Sequence, residues 1–130
     1  MLEPEAAARA VPRRTGADLD RLAPCVEAFN RGTVAGEPTH AHDYGFHEGI
    51  ARATAYPRLL QGIRALEFDV AYAIKVWRHF GRMKPSMRLQ DAVDEHRAIL
   101  DCISQQDAEG ARRAMRSRIE KARVRMMEQG

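Results

Sequence analysis

The sequence predicts an all-α fold, a single antiparallel bundle of about six helices, and three observations carry that prediction. Apolar residues recur every three or four positions through successive segments, and no segment alternates at the period of a strand. Aromatic residues make up only 6% of the chain while Ala, Leu, Arg, Glu and Met are plentiful, a mix that favours helices over strands. The breaks between segments are short, as expected where consecutive helices pack antiparallel. At 130 residues, 45% of them hydrophobic and 30% charged, the chain has the size and balance of one domain, residues 1–130, around one core.

The first helix is expected over residues 1–11, with Pro4 in its first turn, where a missing N–H does no harm, and with Pro12 and Thr15-Gly16 interrupting it. The second runs from Asp18 to Arg31 on Leu19, Leu22, Val26 and Phe29, with Pro24 marking a kink or a late start and Gly32 to Gly36 ending it. The third covers Pro38 to Ala55, closed by Tyr56-Pro57 because the residue before proline resists helical geometry. The fourth and longest runs from Pro57 to Arg82 on the stripe Leu59, Ile63, Leu66, Val70, Ile74 and Trp77, and Gly81 with Lys84-Pro85 ends it. The fifth, Pro85 to Gln105, sets Leu89, Val93, His96, Leu100 and Ile103 on one face. The last takes Asp107 as its N-cap and runs to Glu128, with Ala108, Ala111, Met115, Arg118, Ala122 and Met126 facing inward.

The formal net charge is +3, and Lys and Arg are interspersed with Asp and Glu; even the densest basic stretch, Arg112 to Arg125, contains Glu120. That pattern excludes a nucleic-acid arm and leaves a weak preference for anions. Cys25 and Cys102 belong to no metal or redox motif and read as reduced core residues. The acidic start, Met1 to Glu5, has no apolar signal region, and no apolar run is long enough to span a membrane, so a cytoplasmic protein with no membrane partner is expected. There is no Gly-rich phosphate loop, HExxH or GxSxG, and Ser86, Ser104 and Ser117 stand apart from any base. No residue is assigned a catalytic role.

Four polar residues fall on apolar stripes: Asp43, His47, His96 and Arg118. Asp43 and His47 stand one helical turn apart and share their face with Phe46 and Ile50, so acid and imidazole point inward. Buried together they need partners. An Asp/His pair joined by a histidine from a facing helix gives three ligands for a borderline divalent metal such as zinc. The same residues serve without a metal if Asp43 pairs with Arg118 and the histidines bond their neighbours. His40 and His42, near a helix start, read as solvated, and His79 as a C-terminal dipole partner or surface residue.

The pieces Leu2-Glu3-Pro4-Glu5-Ala6-Ala7, Asp43-x-x-Phe46-His47, Ile50-Ala51-Arg52-Ala53-Thr54, Glu95-His96-Arg97-Ala98-Ile99 and Asp107-x-x-x-Ala111-x-x-x-Met115 occur in that order along almost the whole chain. Together they resemble the FCD effector domain of the FadR subfamily of GntR-type bacterial transcription regulators. The resemblance implies a homodimeric helical bundle that binds a small carboxylate effector and modulates DNA binding by an attached winged-helix domain. Many members hold a divalent metal, zinc or nickel, with one Asp and three His. Asp43 matches the Asp, and His47 and His96 match the first two histidines; Arg118 stands where the third belongs.

Two arrangements follow from that departure. Either Asp43, His47 and His96 hold the metal with Arg118 swung away, or no metal binds and Arg118 meets the effector carboxylate directly. A further departure, Tyr56 where relatives often have Asn, is expected to reshape one wall of the pocket. The winged-helix domain is absent from this chain, which alone is expected not to bind DNA specifically. A metal-dependent hydrolase or lyase on the same bundle is the alternative from another class, with only Glu48 or Glu95 as a base and both expected to face solvent. A helical dimerisation domain without a ligand is the third reading.

Overall fold

The computed structural model describes residues 2–67 and 89–128, and in them every regular element is a helix. α1 spans Leu2–Arg13, α2 Gly16–Ala35 and α3 His40–Ala53; α4 is described over residues 57–67; α5 spans Leu89–Ser104 and α6 Ala108–Glu128. The all-α bundle expected from the sequence is what forms. α1 lies against α6, α3 and α5; α2 packs on α3 and α5; and α5 packs on α6. Val70, Ile74, Trp77, His79, the end of the fourth helix and the expected start of the fifth lie outside the described residues.

α1 can sit among three helices because its buried face is small: Ala6, Ala7, Ala10 and Val11 are all at most 4% exposed. Pro4 occupies its first turn as expected. Pro12 does not interrupt it, since the helix carries through to Arg13 and Arg14 N–H still donates to the Ala10 carbonyl at 2.7 Å. The Arg14 side chain then donates to the Ile103 and Ser104 carbonyls at 3.1 and 2.9 Å, satisfying the last turn of α5.

α2 is longer at both ends than its apolar stripe suggested. Thr15 accepts from Asp18 N–H while the Asp18 carboxylate accepts from Thr15 N–H, a capping box that starts the helix before Asp18. Pro24 lies inside without ending it. Gly32 also continues the helix, packed so closely that a Cβ there would come 2.9 Å from the Thr39 methyl. The turn is made at Gly36, left-handed at φ 71°, with its own N–H on the Thr33 carbonyl and Glu37 N–H on that of Gly32.

α3 ends through Thr54, which is 1% exposed. Its hydroxyl donates to the Ala51 carbonyl at 2.6 Å and accepts from Tyr56 N–H at 3.1 Å, holding Ala55 at φ 56°. α5 ends similarly at Gln106, φ 61°, with Asp107 N–H returning to the Cys102 carbonyl. Asp107 caps α6 as expected, accepting from Gly110 N–H at 2.9 Å.

The core joins Leu22, Val26, Phe46, Ile50, Leu59, Ile99, Ile103, Ala111 and Met115. Leu66 departs from its expected stripe at 45% exposure, because periodicity names a face and not how far neighbouring helices cover it. Cys25 and Cys102 are free thiols only partly buried at the edge of this core.

Candidate functional site

Phe29, Ala92 and Val93 form a second, smaller apolar cluster beside the main core. Under it the polar residues meet. α3 brings Asp43 and His47 on the face shared with Phe46, which is fully buried. α5 brings His96, also fully buried, with the Phe29 ring 4.5 Å and the Phe46 ring 5.2 Å from its own. α6 brings Arg118, whose side chain is 11% exposed. The four residues that the sequence singled out are therefore gathered at one point from three helices.

Asp43 Oδ1 is the hub. His96 Nε2 approaches it at 2.6 Å, His47 Nε2 at 3.1 Å and an Arg118 terminal nitrogen at 3.5 Å. Burial, the strongest single influence on the Asp43 carboxyl, pushes it toward the neutral form; His47, His96 and Arg118 together outweigh that and hold it well below the usual carboxylate range. For His47 burial again acts first, favouring the neutral ring, yet Asp43 and then Glu3 prevail and raise it. Glu3, in the first turn of α1, lies 3.4 Å from His47 Nδ1.

The donor set fits a divalent cation at three positions. The ligand atoms of Asp43, His47 and His96 lie within 4.8 Å of one another. The His96 Nδ1 sits 2.6 Å from the Ala92 carbonyl, an acceptor that requires the proton on that nitrogen. Nε2 then meets Asp43 either through a second proton or by sharing a cation. A backbone carbonyl behind one imidazole and a carboxylate behind the other are the usual outer partners of metal-binding histidines. His47 Nδ1 is buried with no hydrogen-bond partner. At the fourth position Arg118 offers a guanidinium, which binds anions and not metals.

Arg118 has a second acidic neighbour. Glu95 Oε2 lies 3.9 Å from its Nε, and the Glu95 side chain is only 9% exposed, so the expectation that it faces solvent is corrected. It turns inward because it flanks His96 on the helix, beside the α6 face that carries Arg118. Glu48 remains a surface group, accepting from Tyr44, Arg52 and Arg64. His40 is partly buried and 2.6 Å from Glu67, so it is not the freely solvated group expected; His42 is also partly buried. Tyr56 is 47% exposed and receives the Arg9 guanidinium 5.7 Å from its ring centroid. Sequence reasoning missed Glu3 and Glu95 as members of the cluster. The one available signal was the position of Glu95 beside an inward histidine, since a charged side chain off the apolar stripe looks like any solvated one.

An FCD domain family model matches residues 1–121. A protein of Escherichia coli (strain K12) bearing the provisional name of L-lactate dehydrogenase operon regulatory protein is 34% identical over 117 residues, as is one of the same name from Shigella flexneri. The match takes in 88% of this chain and 43% of the relative, so the chain spans less than half the length of the curated relatives it matches. The solved structure of E. coli McbR/YncC superimposes with a TM-score of 0.86 at 21% identity, over 99% of this chain and 64% of that one, a likeness of fold.

Proposed function

The chain belongs to the FCD family, the effector-binding domain of GntR-type transcription regulators of the FadR subfamily, and from that premise we propose that it senses a small organic acid at the Asp43, His47, His96 and Arg118 cluster. The family consists of regulators and not of enzymes, so the hydrolase or lyase reading falls away. The observation that carries the proposal is Arg118. Its guanidinium is enclosed, touches Asp43 only at the 3.5 Å limit of a hydrogen bond, and leaves Nε with no hydrogen-bond partner. A buried donor left unfilled is costly, and the planar fork of arginine suits a carboxylate. His47, raised despite burial toward its charged form by Asp43 and then Glu3, adds positive charge beside the same point.

Asp43, His47 and His96 would hold a divalent cation, zinc or nickel, which when bound supplies a Lewis-acid contact for the effector carboxylate. In either case the residues of the chain do the recognising: Asp43 orients both imidazoles, Phe29 and Phe46 wall His96 from water, and Arg118 neutralises the incoming charge. The acid would favour one arrangement of the helices, and that bias would pass to an attached winged-helix domain, through which alone DNA is bound. A homodimer in the cytoplasm is the proposed setting. No helix among the described residues is long and apolar enough to cross a membrane.

Titration calorimetry on the chain tests this, against short hydroxy acids, sugar acids and dicarboxylic acids, metal-stripped and zinc-loaded. L-lactate belongs in the panel because of the name its relative bears. Saturable binding of one acid class is expected; heat from none of them in either form refutes the proposal.

A further inference from the structure

Arg118 lies between two carboxylates and is fully bonded to neither. One terminal nitrogen is 3.5 Å from Asp43 Oδ1, and its Nε is 3.9 Å from Glu95 Oε2, beyond hydrogen-bond reach. Both Arg118 and Glu95 are about nine-tenths buried, at 11% and 9% exposure, so the charge on each depends on a protein partner more than on water. The two contacts use different nitrogens of the guanidinium, so a shift of the side chain toward α5 would shorten the Glu95 contact and a shift toward α3 would shorten the Asp43 contact.

We propose that Glu95 is a positioning residue: the alternative counter-ion that draws Arg118 off Asp43 when Asp43, His47 and His96 take up a divalent cation. Charge requires such a device. A guanidinium held at the hub oxygen repels a cation bound to that same oxygen, whereas a guanidinium paired with Glu95 is locally neutral. Glu95 is no ligand in this scheme. It acts through Arg118, and it makes a cation compatible with an arginine where a third histidine would otherwise stand. The inference rests on the cation-binding reading of the cluster and is independent of which acid the domain senses.

The test is a double-mutant cycle on zinc affinity, measured by competition with a chromogenic chelator on metal-stripped protein, for the wild type, Glu95→Gln, Arg118→Ala and the double variant. Glu95→Gln keeps the shape of the side chain and removes its charge, and thermal melts of all four proteins check that each is folded. Expected is a loss of about 10- to 100-fold in zinc affinity for Glu95→Gln when Arg118 is present, the usual size of an outer-partner effect. In the Arg118→Ala background the same substitution should cost no more than about threefold, and the cobalt(II) absorption spectrum should be the same with Glu95 or Gln. Equal losses in both backgrounds overturn the proposal, as does a cobalt spectrum altered by Glu95→Gln, which would make Glu95 a ligand. Zinc binding by Arg118→Ala but not by the wild type overturns it too, since Glu95 would then fail to move the arginine. Absence of zinc binding in all four refutes the cation reading itself, while acid binding to the metal-stripped chain separately tests the effector reading.

Discussion

Replacing Asp18 with Ala should lower the melting temperature by about 6–10 °C at neutral pH, and that gap should close in acid. The Asp18 side chain is 9% exposed and its Oδ2 accepts from Thr15 N–H at 2.8 Å and from the Thr15 hydroxyl at 3.1 Å. The backbone bond to a charged acceptor is worth about 1.5–3 kcal/mol. The Thr15 hydroxyl can turn to water, and the pair with Arg21, whose side chain is 58% exposed, adds about 0.5 kcal/mol or less. The Asp18 N–H keeps its bond to Thr15 in the variant. The sum is about 2 kcal/mol, and a domain of 130 residues shifts by about 3–5 °C per kcal/mol. Burial, the largest influence, raises the Asp18 carboxyl, but the Thr15 bonds and Arg21 overcome it and hold it below its ordinary 3.8. A carboxyl depressed in the folded state stabilises fully above 3.8 and loses that contribution as pH falls through its folded value. Circular dichroism melts of both proteins from pH 7 down to pH 2.5 measure the gap. A gap that stays constant across that range, or one below about 2 °C at pH 7, would show that the capping box is not what starts α2.

Three further outcomes are expected. Arg118→Ala should weaken binding of the sensed acid by about 10- to 150-fold, the loss of one charge-assisted bond, in the calorimetric titration; unchanged affinity sinks the role given to Arg118. Met115→Ala, at a site 1% exposed between helices, should cost about 2–5 kcal/mol in urea unfolding, and a cost below 1 kcal/mol would mean that α6 is loosely packed. Gln106→Gly should stabilise by about 1 kcal/mol, because the residue sits at φ 61° where a side chain is strained; a lower urea midpoint would count against that strain.

The bundle and its inward faces were legible because periodicity reports directly which residues a helix buries, as Leu22, Val26 and Phe29 on α2 illustrate. Helix ends were less so. α2 gained residues at both ends because a side-chain cap and a left-handed glycine, not the apolar stripe, decide where it stops, and Gly32 is used for close packing against Thr39. α1 kept Pro12 because one missing N–H in a last turn costs little once the helix is packed on three neighbours. The cluster of Asp43, His47, His96 and Arg118 was readable as polar residues on apolar positions. Glu3 and Glu95 were not, since the approach of Glu3 to His47 and of Arg118 to Glu95 arises from how α1 and α6 cross the site, and that depends on contacts far apart in the chain.

His96 is fastened to its own helix through the Ala92 carbonyl and wedged between two phenyl rings, whereas Arg118 hangs between rival partners. The cluster thus pairs a tightly fastened member on α5 with a loosely bonded one on α6. Under the proposed function an occupant would meet Arg118 as the side chain held least firmly, on a helix that also rests against α1.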